Sequence, residues 1–180
     1  KNFRLFLLLN SIFALGSFSY SFLLIYAKEH GFQTAFVPVL YLIFTAVASV
    51  FSLPFGKLSD KVGRKSVLML SYAFWGLLCL GSITARHNFT VIIVFILYGL
   101  HKGALEPVQR TLAAELAPTN YRASSLGAFQ MVIGVCALPA SLIAGILWEK
   151  VGPAGPFYFS LGLTVLSIIL LLFVEEGERS

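Results

Sequence analysis

Two charge-free apolar runs, each long enough to cross a membrane, flank a short segment crowded with charge. The runs cover 35–56 and 66–85, and the segment between them, 57–65, holds four cations and one carboxylate. A helix needs about 20 apolar residues to cross a hydrocarbon core roughly 30 Å thick. The runs therefore predict membrane-spanning helices, and 57–65 predicts a nine-residue loop on one water-exposed side.

Four further apolar runs extend this pattern over the whole chain. Hydrophobic residues make up 58% of the 180 residues and charged residues 12%, which is far from the mixture of a water-soluble domain. We therefore expect an all-α membrane protein with six transmembrane helices in a single domain, 1–180. The predicted spans are 5–27, 35–56, 66–85, 90–114, 123–148 and 156–174.

The charge balance and the cysteines exclude several classes of function. The net charge of +5 does not indicate nucleic-acid binding, because the cations lie in short loops between apolar spans. Both cysteines, Cys79 and Cys136, fall inside predicted spans, so neither a disulfide nor a metal site is expected. No Ser/His, Asp/Asp or HExxH arrangement of an intramembrane enzyme is present in the spans. We predict no enzyme activity, no cofactor and no metal.

The distribution of cations predicts the orientation of the chain. Cytoplasmic loops of membrane proteins carry an excess of Lys and Arg. Nine cations fall on one side and three on the other, so both termini and the charged segment are expected in the cytoplasm. The nine are Lys1, Arg4, Lys57, Lys61, Arg64, Lys65, Arg110, Arg122 and Arg179, and the three are Lys28, Arg86 and Lys150.

The charged segment also carries a specific motif. From position 56 it reads GKLSDKVGRKSVL, which resembles the signature loop of the major facilitator superfamily, G-x-L-A-D-R-x-G-R-K-x-x-L. Only Ser59 and Lys61 depart from that pattern. The matching residues are Gly56, Leu58, Asp60, Gly63, Arg64, Lys65 and Leu68.

The resemblance covers nearly the whole chain and implies a function. It implies one half of a major facilitator fold, built as a 3+3 inverted repeat and paired with another six-helix half. The Leu-Pro pairs at 53–54 and 138–139 fall in corresponding spans of such a repeat. The absent initiator Met and the short acidic tail, 175–180, favour the carboxy-terminal half of a bacterial exporter-like member in the inner membrane.

The resemblance also assigns roles within the signature segment. Asp60 is expected to meet the amino-terminus of the fifth helix at Ser124 and Ser125, and Arg64 to meet Glu115. A carboxylate at a helix N-terminus is stabilised by free backbone amides and the helix dipole. Such a cluster would act as a latch that favours one conformation. For Lys57, Lys61 and Lys65 an alternative stays open, namely that they only set the orientation of the chain in the membrane.

The fourth predicted span contains charge near mid-membrane. His101 and Lys102 lie close to its midpoint, with Glu106 one turn further on and Arg110 one turn beyond that. Spacing of i, i+4 allows Lys102–Glu106 and Glu106–Arg110 pairs. Such costly groups should face a cavity or each other. Two hypotheses remain: Glu106 is a protonation site with His101 or Lys102 on the substrate path, or the charges form a fixed structural ladder.

Polar residues of other spans fall at similar depth. Asn10, Tyr20 and Gln130 are candidates for the same path, although each is explained more readily as a hydrogen-bonding group between helices.

The resemblance and these features together predict a proton-coupled secondary active transporter that moves a small solute by alternating access, with this chain as one half of it. Its expected partners are a small-molecule substrate, protons, the lipid bilayer and the other six-helix half. The alternative is a self-assembling six-helix channel-like or structural membrane protein. A pore would show repeated polar rings, whereas polarity here is concentrated in one helix and one segment.

Overall fold

A computed structural model of the protein describes residues 2–84 and 87–175. Three of the cations used to predict the orientation, Lys1, Arg86 and Arg179, lie outside these residues. Seven α-helices and two short 3-10 turns, Thr34–Phe36 and Thr119–Tyr121, make up the described chain. The helices are α1 (Asn2–Gly16), α2 (Tyr20–Glu29), α3 (Val37–Val62), α4 (Arg64–Thr84), α5 (Asn88–Leu116), α6 (Arg122–Val151) and α7 (Gly155–Leu172). Since α1 and α2 together form one span, the described residues contain six candidate membrane spans.

The first span is interrupted, whereas the sequence predicted one continuous helix over 5–27. The helix stops at Gly16 and restarts at Tyr20. Ser19 caps the second segment, because its hydroxyl accepts a hydrogen bond from the backbone N–H of Ser21 at 3.3 Å. The N–H of Ser17 still donates to the Phe13 carbonyl at 2.8 Å. Backbone groups beside the break are thus partly satisfied, as a non-aqueous environment requires.

The predicted nine-residue loop over 57–65 is wrong. Helix α3 continues to Val62 and α4 begins at Arg64, so the only residue between them is Gly63. Gly63 has φ of 101°, a conformation that costs an L-residue with a side chain more than it costs glycine. The charged residues 57–62 are the last turns of a helix that extends beyond its apolar run. Gly56, the first residue of the motif, lies inside α3.

The helices pack in two related groups. Helix α5 lies between α3 and α4, while the first span lies between α6 and α7, and α4 packs on α7. This set of neighbours is unchanged when the first three spans are exchanged with the last three, as an inverted repeat requires. Pro54 and Pro139 lie within the corresponding helices α3 and α6.

Close approach of α3 and α5 depends on two glycines four residues apart. A Cβ on Gly99 would lie 2.7 Å from the Phe44 carbonyl oxygen, and a Cβ on Gly103 would lie 2.9 Å from the Ala48 carbonyl oxygen. Small residues at such spacing allow membrane helices to approach backbone to backbone. Helix α5 is consequently the most buried of the described spans.

Two helices contribute little to the interior of this chain. In the most apolar stretches of α3 and α6, only 11% of the residues are buried within the chain. Both helices border the face of α5 that remains open, and their outer surfaces are available to lipid or to another protein segment.

Candidate functional site: the open face of α5

The pair formed by Lys102 and Glu106 lies at the midpoint of α5. The Lys102 Nζ is 3.8 Å from a carboxylate oxygen of Glu106. The side chains are 34% and 61% exposed, so the pair faces open space rather than the helix bundle. The predicted continuation of the ladder is absent, since Glu106 makes no ion pair with Arg110 in the described structure. A loose, exposed pair leaves the carboxylate able to exchange partners.

Beside this pair, between α2, α3 and α5, lies a cavity of about 420 Å³. Tyr20, a candidate from the sequence, is part of its wall and is 39% exposed. The ring centroids of Tyr41 and Phe44, and of Phe44 and Tyr98, are each 4.9 Å apart. The wall therefore combines aromatic rings with the Lys102–Glu106 pair, and we call this space the aromatic cavity.

On the other side of the pair, between α1, α5 and α6, lies a second cavity of about 260 Å³. It is lined by Lys102 and Glu106 and by further polar groups. We call it the polar cavity; its polar side chains also include Asn10, Ser17, Gln109, Arg110 and Gln130. The sequence candidates Asn10 and Gln130 are therefore brought to the same space as Glu106.

His101 lines neither cavity, so of the two residues that the sequence offered for a substrate path, only Lys102 borders these spaces. It is fully buried, with its ring 5.0 Å from the ring of Trp75 and 5.6 Å from that of Phe13. Its Nδ1 lies 2.9 Å from the carbonyl oxygen of Ser71, and the Ser71 hydroxyl donates to the His101 carbonyl at 3.1 Å. The side chain thus joins α5 to α4 and has no direct access to either cavity.

Asn10 connects the polar cavity to the interior. Its Oδ1 accepts hydrogen bonds from the Tyr72 hydroxyl at 2.9 Å and from the Gln109 side chain at 2.7 Å. Its Nδ2 donates to the Phe6 carbonyl at 2.7 Å. Tyr72 and Gln109 were not singled out from the sequence. Their periodic positions on the inner faces of α4 and α5 are a weak signal, because apolar residues at the same spacing are equally common.

The signature segment forms a charge cluster at the end of α3. Arg64 lies 3.3 Å from Asp60 and 3.2 Å from Glu115, so one guanidinium joins α3, α4 and α5. Asp60 is 68% exposed. Among the described residues it makes no hydrogen bond with Ser124 or Ser125. The expected contact between this carboxylate and the amino-terminus of α6 is therefore not present in this conformation.

Lys65 has a role that its sequence position did not indicate. Its Nζ donates to the carbonyl oxygens of Leu172 at 2.8 Å and Val174 at 2.7 Å. These carbonyls lie at the carboxyl end of α7, where a cation is favoured by the helix dipole. The two adjacent cations of the motif thus point to different helices, Arg64 to α5 and Lys65 to α7.

Comparison with known proteins identifies a family. The sequence model described as the Major Facilitator Superfamily matches residues 6–180. An uncharacterized MFS-type transporter of Methanocaldococcus jannaschii is 38% identical over 180 residues, covering 97% of this chain and 45% of that protein. The protein named "Probable anion transporter 2, chloroplastic" of Oryza sativa subsp. japonica is 28% identical over 161 residues, covering 85% of this chain and 29% of that protein. The quinolone resistance protein NorA of Staphylococcus aureus is 25% identical over 159 residues, covering 87% and 40%. The chain spans less than half the length of each of these relatives.

Proposed function

This chain belongs to the major facilitator superfamily, and from that membership we propose that it is one six-helix half of a secondary active transporter. Family membership places it among integral membrane proteins that transport a solute rather than among enzymes. In our proposal the complete transporter moves a small solute by alternating access and couples this movement to protons.

The observation that carries this proposal is the exposed Lys102–Glu106 pair at the midpoint of the most buried span. A charge near the bilayer centre costs about 2.5–3.5 kcal/mol or more on insertion scales, so it is kept only where protein or water surrounds it. Here the pair borders two cavities on the open side of the bundle. That location suits a substrate path between two halves better than contact with lipid.

Proton coupling is assigned to Glu106. Its carboxylate is exposed to the cavities, and within the described ranges 2–84 and 87–175 its one ion-pair contact is with Lys102 at 3.8 Å. When the path is open to water, the ionised carboxylate is solvated; when the path closes, protonation avoids burying a charge. Opening and closing can therefore be linked to binding and release of one proton.

The cluster of Asp60, Arg64 and Glu115 is proposed as the conformational latch. It joins the ends of three helices through one arginine, and its weakest member, Asp60, is exposed. Movement of α3 relative to α5 would stretch the ion pairs, so the cluster favours the conformation in which they are short.

The second half is proposed to cover the outer surfaces of α3 and α6, which are apolar and little buried here. Such faces flank the open side of α5, where an opposite wall would complete both cavities. We place both termini and the signature segment in the cytoplasm, and the protein in the cytoplasmic membrane.

The test is solute-driven proton movement in proteoliposomes that contain the complete transporter, measured over a panel of candidate solutes. We expect one solute to move protons with the unaltered protein, and Glu106→Gln to abolish that proton signal. Glu149→Gln, an exposed carboxylate at the end of α6, is the matched control and should keep the signal. Solute uptake with unaltered pH dependence in Glu106→Gln would reject the coupling role.

The latch is tested in the same preparation. Asp60→Asn and Glu115→Gln should impair transport while the protein remains inserted and folded, with Glu149→Gln again as control. Unchanged transport in both variants would reject the latch.

Transport by this six-helix chain alone, as a self-assembled oligomer, would contradict the need for a second half.

A further inference from the structure

The two cavities beside α5 are chemically different and meet at one pair of residues. Both are lined by Lys102 and Glu106, so the aromatic cavity and the polar cavity adjoin along one turn of the helix. A solute that enters from the open side can therefore occupy both at once. Its two ends would meet different surroundings.

The aromatic cavity is suited to a flat unsaturated ring system. Four rings line it, from Tyr20, Tyr41, Phe44 and Tyr98. Two neighbouring pairs meet at steep interplanar angles, 77° for Tyr41–Phe44 and 82° for Phe44–Tyr98, whereas Tyr20 meets Tyr41 at 62° and Phe44 at 41°. Edge-to-face arrangements of this kind are favourable between aromatic groups, and a guest ring can extend them.

The polar cavity is suited to a head group that accepts hydrogen bonds. Gln109, Gln130 and Arg110 supply amide and guanidinium donors to its wall. Arg110 is exposed, and among the described residues it makes neither an ion pair nor a hydrogen bond. A planar guanidinium matches a carboxylate with two parallel hydrogen bonds.

The charges at the site favour an anion over a cation. Lys102 and Glu106 neutralise each other, which leaves Arg110 as the unbalanced charge on this face of α5. An anion can pair with Arg110 without disturbing the existing pair. A cation would have to draw Glu106 away from Lys102, which would leave the positive charges of Lys102 and Arg110 about two turns apart on one helix without a counter-ion.

The separation of the two ends sets the length of the solute. Tyr98 and Arg110 are twelve residues apart in one helix, which corresponds to about 18 Å along its axis. Because both side chains extend from the helix and shorten this gap, a molecule of about 10–15 Å is long enough to contact both Tyr98 and Arg110.

We propose, on the basis of the transport function proposed above, that the substrate is an elongated amphipathic anion: an aromatic body in the aromatic cavity and a carboxylate-like head at Arg110. Phe44 selects the body and Arg110 selects the head. Both residues then determine specificity independently of the coupling role of Glu106.

The test is equilibrium dialysis of four matched probes against the complete transporter in lipid nanodiscs. The probes are 4-(biphenyl-4-yl)butanoate, the corresponding butylammonium, the corresponding alcohol, and the butanoate with both rings saturated. We expect the biphenyl anion to bind about tenfold or more tightly than each of the others. Arg110→Gln should remove the preference for the anion over the alcohol, and Arg110→Lys should restore part of it.

Two further variants separate specific contacts from general damage to the protein. Phe44→Leu should weaken binding of the biphenyl anion and leave the saturated anion unchanged. Thr111→Ala, at an exposed neighbour of Arg110, should leave all four affinities unchanged. Retained binding of the alcohol by Arg110→Gln shows that this variant is folded.

Each contrary result has a distinct meaning. If the ammonium probe binds as tightly as the biphenyl anion or more tightly, the proposed preference for an anion is wrong. If the saturated anion binds as tightly as the biphenyl anion, the proposed preference for an aromatic body is wrong. If no probe binds while the complete transporter moves another solute, this inference is wrong and the proposed function stands. If the biphenyl anion binds with the expected variant effects but no solute is ever moved, the site is right and the transport function fails.

Discussion

The two faces of α5 carry polar residues at the same depth but place them in opposite environments. His101 is fully buried and hydrogen-bonded to α4, whereas its neighbour Lys102 is 34% exposed and pairs with Glu106 over the cavities. Depth in the membrane alone therefore does not mark a functional residue. The direction in which the side chain leaves the helix decides whether it stabilises the fold or contacts a solute.

This difference has an energetic basis. A polar group on the inner face must find its hydrogen-bond partners within the protein, and losing one leaves the other unsatisfied. A polar group on the open face can be solvated by water or by a substrate. Substitutions on the inner face should consequently lower stability, while those on the open face should change transport.

The largest loss of stability is expected where α3 and α5 approach most closely. In Gly99→Ala the new Cβ would lie 2.7 Å from the Phe44 carbonyl oxygen, so one helix must shift. Overpacking of this kind costs about 1–3 kcal/mol. Thermal unfolding in detergent, followed by tryptophan fluorescence, should show a Tm lower by several degrees. The matched control is Gly134→Ala in α6, where a Cβ meets nothing within 4 Å; an equal loss there would remove the packing explanation.

A somewhat smaller loss is expected at the hydrogen-bond network around Asn10, which borders the polar cavity and joins α1 to α4 and α5. Asn10→Leu removes the acceptor shared by Tyr72 and Gln109. Leaving buried polar groups unpaired costs about 1–3 kcal/mol, less any relief through new partners. Ser11→Ala on the same helix, which removes only a bond to the Leu7 carbonyl, is the control. Equal Tm values for the two variants would show that the network does not stabilise the fold.

The contact of Lys65 with the carboxyl end of α7, which we call the α7 cap, should contribute less to stability than the network around Asn10. Lys65→Met removes the donor to the carbonyls of Leu172 and Val174. A cation at a helix carboxyl end is worth about 0.3–1 kcal/mol at an exposed site. We expect a small decrease in Tm and faster proteolysis near the end of α7, with Lys57→Met unchanged in both assays. Slower or unaltered proteolysis in Lys65→Met would contradict the cap.

The smallest effect on stability is expected on the open face. Lys102→Gln and Glu106→Gln break a 3.8 Å pair between exposed side chains, and such pairs contribute about 0–1 kcal/mol. Their Tm should stay within about a degree or two of the unaltered protein, although transport changes. A loss of stability as large as that of Asn10→Leu would make the pair a structural element and erase the difference between the two faces.

Much of the fold followed from the sequence, because long apolar runs have few alternatives to helices across a membrane. The local errors have physical causes. Charge at 57–62 suggested a loop, but a helix can continue into water once it has left the hydrocarbon core. The break after Gly16 is not marked in the sequence by a proline, the residue that most clearly indicates the interruption of a helix. The spacing of Gly99 and Gly103 does indicate close helix packing, but the neighbouring charged residues of the same span directed attention to a cavity instead.

The site was less accessible to sequence reasoning. Depth along α5 identified Lys102 and Glu106 but placed His101 with them, because adjacent residues differ in direction by about 100° and the inner side was unknown. The partners of Lys65 lie more than 100 residues away in sequence, so no local pattern could indicate them. The aromatic cavity joins three helices, and its composition emerges only when they are packed.

The most direct test of the account is the water accessibility of neighbouring positions on α5 in the complete transporter. Glu106→Cys and Ala104→Cys are introduced after Cys79 and Cys136, the two cysteines of this chain, and any cysteines of the other half have been replaced by serine. Position 106 should react with a membrane-impermeant maleimide, at a rate that changes when solute is added, while position 104, which is fully buried, stays unreactive. Equal labelling of both positions, or an unreactive position 106 with and without solute, would contradict a transport path along the open face of α5.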